Sequence, residues 1–159
     1  MQQGEIKDFL RKQIEDAKND YVRDIDALSH EQLNASPGGS ARTPYDFTYE
    51  VVFVNRRIAK RLRGETPEPA PDNGWIKAPE EFRNKDHAKN EVSTTMDEIL
   101  SAWDKLDESQ LTTPIVMASG NTTSALGLGH MASHHASYHG AQLNYIQAIN
   151  GDEEVHWAQ

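Results

Sequence analysis

At 159 residues the chain has the length of one domain, residues 1–159, and is large enough to bury a core. Its formal charge of −9 argues against a broad nucleic-acid surface, which needs clustered Lys and Arg. With no cysteine it offers neither a disulfide framework nor a thiol nucleophile.

No apolar run reaches the length of a membrane span, and Met1-Gln2-Gln3-Gly4-Glu5 does not read as a signal peptide. The expectation is a soluble, cytoplasmic protein with no membrane or nucleic-acid partner. Arg56, Arg57, Lys60, Arg61 and Arg63 form one basic cluster, but they lie around a predicted helix end, where they suit the macrodipole.

From about Glu5 to Leu28, the apolar residues Ile6, Leu10, Ile14, Ala17, Tyr21, Ile25 and Leu28 recur at steps of three and four. That spacing predicts a first amphipathic helix. Ser29 to Leu33 reads as a short capped turn, and Ser36-Pro37-Gly38-Gly39-Ser40 as loop. Thr43-Pro44-Tyr45-Asp46 then marks a second helix start: a Thr cap, proline at the first position and an acid in the first turn. Its apolar face runs Phe47, Val51, Val54, Ile58 and Leu62, and Gly64 ends it. Glu50 falls on that same face. A carboxylate there is costly unless paired, hydrogen-bonded or bound to metal. Arg57 or another basic side chain is one partner; a rim position reaching water is the other ordinary outcome.

Glu65 to Pro79, with Pro67, Pro69, Pro71 and Asn73-Gly74-Trp75, reads as a long crossover rather than a tight hairpin. Packing on the bundle is the favoured role for Trp75, ahead of overhanging a pocket. A third helix is predicted over roughly Asp86 to Leu106, striped by Val92, Met96, Ile99, Trp103 and Leu106. The segment Asp107-Glu108-Ser109-Gln110-Leu111 repeats the turn at Ser29 to Leu33, each following a helix and preceding a proline-containing loop.

The last helix, about Thr123 to Asn150, holds four of the seven histidines. At about 100° per residue, positions four apart share a face, which pairs His130 with His134 and His135 with His139. Met131, Ala132, His135, His139, Gln142, Leu143, Ile146 and Ile149 fall within roughly 60° of Leu128. His130 and His134 lie on or near the opposite side. His135 and His139, with Gln142 one turn on, thus form a polar island in an apolar stripe. Two imidazoles so spaced are a common half-site for a divalent metal, although core histidines hydrogen-bonded to neighbours give the same pattern. The tail from Gly151 carries His156 and Trp157 and reads as a fraying or packing segment.

Four amphipathic helices and no credible strand predict an all-α four-helix bundle with a long crossover between the second and third helices. In such a bundle Glu50, His135 and His139 would make a two-histidine, one-carboxylate metal site with open positions for water or substrate. Gln142 would support the ligands or contact substrate; Tyr138, at the edge of the stripe, is a weaker catalytic candidate. Imidazole coordinates only when neutral, and its unperturbed pKa is about 6.5. Metal affinity is therefore expected to fall between pH 7.5 and pH 5.5.

The segment His135-Ala136-Ser137-Tyr138-His139-Gly140-Ala141-Gln142-Leu143-Asn144-Tyr145-Ile146, followed by Gly151-Asp152, resembles the C-terminal His-x-x-x-His-x-x-Gln helix of the DinB/YfiT-like superfamily. Thr43-Pro44-Tyr45-Asp46-Phe47-Thr48-Tyr49-Glu50-Val51 is similar to that superfamily's second helix, which usually carries a histidine where this chain has Glu50. The resemblance implies an open three-ligand site for a divalent metal, commonly zinc or nickel, in an often dimeric bundle. It also implies thiol-dependent transferase or isomerase chemistry with a low-molecular-weight thiol, in a superfamily where many members have no assigned reaction. A carboxylate ligand is harder than imidazole, which brings Mn and Fe into the range alongside Zn. The leading expectation is a metal-dependent transferase or hydrolase acting on a small molecule. The alternatives are a non-catalytic metal or ligand-binding module, or a structural dimerising bundle.

Overall fold

The computed structural model describes residues 3–71 and 75–157. Asn73 and Gly74 of the expected crossover lie outside the described residues. Five helices, α1 (Gln3–Ala27), α2 (His30–Asn34), α3 (Pro44–Leu62), α4 (Lys85–Asp104) and α5 (Ala125–Ile149), are joined by loops and one small hairpin of β1 (Ile115–Val116) and β2 (Thr122–Thr123). The fold is all-α. Its four long helices are those read from the apolar stripes.

Local chemistry sets the helix ends. Thr43 accepts from the Asp46 N–H at 3.2 Å, with Pro44 at the first helical position of α3. Asn84 caps α4 by accepting from the His87 N–H at 3.0 Å. The repeated turns at Ser29 and Asp107 are both capping boxes: Gln32 and Gln110 reach back to the cap backbone at 2.7 and 2.8 Å. The first opens the five-residue α2 and the second a single 3₁₀ turn, Glu108–Gln110. The last helix begins at Ala125 rather than near Thr123. Thr122 and Thr123 pair with Val116 and Ile115, and Ser124 becomes the cap. Each strand is only two residues long, too short for an alternating pattern to announce it.

Packing follows from the stripes. In the bundle α1 lies against α4 and α5, and α3 against the same two helices. Ile14, Tyr21 and Ile25 of α1, Val51 and Ile58 of α3, Met96 and Ile99 of α4, and Leu128 and Leu143 of α5 are buried between them. Complete burial of one such aliphatic side chain stabilises by about 1.5–3 kcal/mol. Trp103 is wholly buried and donates from Nε1 to the Lys7 carbonyl at 3.1 Å. A Cβ at Gly129 would stand 2.7 Å from its Cζ3, so only glycine allows α5 to pass this rigid ring.

Two expectations are corrected. Met131 and Ile149, assigned to the apolar face of the last helix, are exposed. Because α5 packs on α1 at one side and α3 at the other, its buried line runs through Leu128, Ala132, Ala136, His139, Gly140, Leu143 and Gln147. Trp75 does not pack into the bundle: it is half exposed, with the Arg42 guanidinium 4.9 Å from its ring centre. The buried Asp46 carboxylate accepts from the Ala78 N–H at 2.8 Å and from Arg83 Nη2 at 2.7 Å. Those bonds tie the returning crossover to the first turn of α3. The tail does not fray at Asp152, which accepts from the Glu154 N–H at 3.0 Å and pairs with His156 at 2.8 Å. Among the described residues no helix is long and apolar enough to cross a membrane.

Candidate metal centre

Glu50 projects from the second turn of α3 and His135 and His139 from the middle of α5, at the contact between those helices. One ligand atom from each, a carboxylate oxygen and two imidazole nitrogens, lie within 4.8 Å of one another. Glu50 Oε1 is 3.6 Å from His135 Nε2. Its other oxygen is taken by Arg42, from the loop just before α3. Arg42, not Arg57, is thus the basic partner of Glu50. Arg57 instead lies over the Phe53 ring, 5.3 Å from its centre.

His139 is buried and fixed on three sides. It stacks on Phe47 at 5.3 Å with 10° between the planes, and meets the rings of His135 and Tyr138 edge-on at 4.7 and 5.0 Å. Its Nδ1 is 2.7 Å from the side-chain oxygen of Gln142. That oxygen can only accept, so Nδ1 carries the proton and donates, leaving the lone pair of the neutral ring on Nε2. The contact with Gln142 is therefore the ring-orienting bond typical of metal-ligating histidines.

The electrostatics keep Glu50 and His139 in the form a cation requires. Burial pushes the Glu50 carboxyl up, but the polar contacts with His135 and Arg42 outweigh it and hold the group at about 2. Burial disfavours the imidazolium form of His139 and, against the opposing bond to Gln142, brings it down to about 4, with the neighbouring His135 adding to the fall. His139 is thus neutral throughout the pH 5.5–7.5 window, and proton competition at this ligand moves to about pH 4. The unperturbed value overlooked the cost of burying a charged ring.

The donor set fits a divalent ion. A tetrahedral ion with bonds of about 2.0–2.1 Å holds its donors roughly 3.4 Å apart, so closure from 4.8 Å asks for side-chain adjustment only. His135 Nδ1 is buried with no hydrogen-bond partner among the described residues, an unpaired imidazole nitrogen of the kind that coordination or its ordering partners resolve. Beside the cluster lies a cavity of about 530 Å³, lined by Pro37, Ala41, Arg42, Phe47, Trp75, Tyr138, Ala141, Gln142, Tyr145 and Ile146. Gln142 and Tyr138 both touch His139 and face this cleft. His130 and His134 are exposed, stacked on each other at 5.4 Å, and take no part in the cluster.

Sequence reasoning missed Arg42 and the stacking role of Phe47, and it ranked Trp75 over a pocket, where it forms a wall of the cleft, behind packing on the bundle. Phe47 was visible only as an apolar stripe residue. Arg42 and Trp75 lie outside helices, where no periodicity points to them.

A bundle of four long helices with a two-histidine, one-carboxylate cluster between two of them defines the class: a helical bundle with a metal-type donor set. A sequence model of the DinB superfamily matches residues 13–143, a span that holds all three donors as well as Gln142 and Tyr138. The chain belongs to the DinB superfamily. No curated protein matches it significantly.

Proposed function

We propose that this protein is a divalent-metal-dependent enzyme acting on a small molecule, of the thiol-transferase or hydrolase kind. The observation that carries the reading is the convergence of Glu50, His135 and His139 within 4.8 Å, beside a cleft of about 530 Å³. A bound ion, zinc or nickel foremost and manganese or iron within the range of this donor set, would supply Lewis-acid stabilisation of negative charge on a thiol sulfur or a water oxygen.

The chain's own residues supply the rest. Gln142 holds His139 in the tautomer that leaves Nε2 free, and Phe47 fixes the plane of the ring. Arg42 neutralises part of the carboxylate charge and presents a cation to the cleft. Trp75, Tyr145, Ile146 and Pro37 give the cleft apolar walls suited to a substrate with a hydrocarbon or aromatic body. Tyr138 places a phenol on the same wall, available to hydrogen-bond a polar substrate group.

The test is turnover of a thiol, such as cysteine, with an aryl halide or epoxide, and separately ester hydrolysis, by metal-loaded protein. Activity that disappears in His139→Gln supports the reading. Metal binding with no turnover across these reactions would make the protein a binding module instead.

A further inference from the structure

A second cavity, of about 310 Å³, opens between α1 and α5, and none of the three donors lines it. Its anion is Asp24, which is 1% exposed and has one carboxylate oxygen, Oδ1, without a hydrogen-bond partner among the described residues. The Asp24 backbone carbonyl is already bound, accepting from Gln147 Nε2 at 3.0 Å. The carboxylate lies against the bare face of Gly140, where a Cβ would stand 3.5 Å from Oδ2. Asp20, one turn earlier at the rim, is bridged to Arg23 at 3.3 Å.

No basic residue lines the cavity. Most of its remaining surface is apolar, from Ala17, Ala136 and Ala141, with Ser137 and Asn144 as further polar groups and the half-exposed Trp157 ring brought to its edge by the ordered tail. A buried carboxylate with one oxygen left without a partner is costly until a cation or a further donor reaches that oxygen. Burial pushes the Asp24 carboxyl up to about 6 against the opposing side-chain contacts of Asn144 and Gln147, with Asp20 adding to the rise. A divalent metal ion is the poorer fit, because the wall holds no histidine and Asp20 is already committed to Arg23.

We propose that this cavity binds a small primary alkylammonium, its N–H donors on the Asp24 carboxylate and its hydrocarbon part between the alanine wall and the Trp157 ring. The unpaired oxygen selects a primary ammonium, which brings donors, over a quaternary one, which brings charge alone. The indole favours either cation over a neutral alcohol.

The experiment is an NMR titration of the isotope-labelled full chain, with EDTA present, using n-butylammonium chloride, n-butyltrimethylammonium chloride and n-butanol as probes. The Gly140 amide and the Trp157 indole N–H are expected to shift saturably with butylammonium, and at least tenfold more weakly with the other two. Asp24→Asn should weaken butylammonium at least tenfold. Gly140→Ala is a second variant whose added methyl meets Asp24 and Tyr21 at 3.5 and 3.8 Å, ordinary contact distances, so the fold is kept while the cavity is narrowed. It should weaken butylammonium to the same degree. No saturable shift with butylammonium, equal affinity for butanol, or undiminished binding in both variants would overturn the proposal.

Discussion

Glu50 divides its carboxylate between two partners: Arg42 at one oxygen and His135, 3.6 Å away, at the other. The charge that keeps Glu50 ionised also opposes a cation in the same place. Loss of a supporting contact to a ligand costs about 10–100-fold in metal affinity. A unit charge about 5 Å from a divalent ion, at an effective dielectric near 20, opposes it by several kcal/mol, which is the larger effect. Arg42→Gln keeps an amide donor for Glu50 and removes the charge. It is expected to tighten metal binding at least tenfold, measured by competition with a chromophoric chelator. Weaker binding would show that Arg42 acts chiefly by holding the carboxylate in place.

Gln142→Leu removes the acceptor from His139 Nδ1 while keeping the apolar part of the side chain. Metal affinity is expected to fall 10–100-fold, with little change in the stability of metal-free protein beyond roughly 1–2 kcal/mol for the lost buried hydrogen bond. Gln142→Glu keeps an acceptor and should retain affinity. Equal behaviour of the two variants in the chelator assay would show that this bond does not orient the ligand.

His139 and Asp24 make opposite contributions to the pH dependence of the metal-free fold. Between about pH 6.5 and 4 the unfolded chain protonates residue 139 and the folded chain does not, so this group lowers stability as pH falls. Between about pH 6 and 3.8 the folded chain protonates Asp24 and the unfolded chain does not, so this group raises stability as pH falls. Urea denaturation in EDTA at pH 6.5 and 4.5 is expected to show His139→Gln gaining, and Asp24→Asn losing, roughly 2 kcal/mol relative to the change in the parent protein. Parallel pH profiles in all three proteins would remove both assignments.

The four long helices were legible because their apolar residues recur at steps of three and four. Glu50, His135 and His139 were legible because each interrupts such a stripe. The same reasoning did not find Arg42, which meets Glu50 across a loop at a separation of eight residues, outside any helical period. Nor could it place Trp75, since the crossover is fixed by the contacts of Asp46 with Ala78 and Arg83, more than thirty residues away in sequence. Asp24 sits among Asp20, Arg23 and Asp26 and reads as part of a charged surface; only the packing of α5, with no side chain at Gly140, buries it. Stripe phase alone also misassigned Met131 and Ile149, because a helix wedged between two neighbours buries two flanks rather than one.

The central claim is that Glu50, His135 and His139 hold one divalent ion, and the most direct measurement is metal content with X-ray absorption on untagged protein purified without added metal. The expected result is one equivalent per chain, with two imidazole nitrogens and a carboxylate oxygen in its coordination sphere. That equivalent should be lost in His139→Gln and kept when His130 and His134 are both replaced by Gln. A protein that carries no ion and takes up none of zinc, nickel, manganese or iron at stoichiometric concentration would contradict the account, as would an ion that survives in His139→Gln but leaves with His130 and His134.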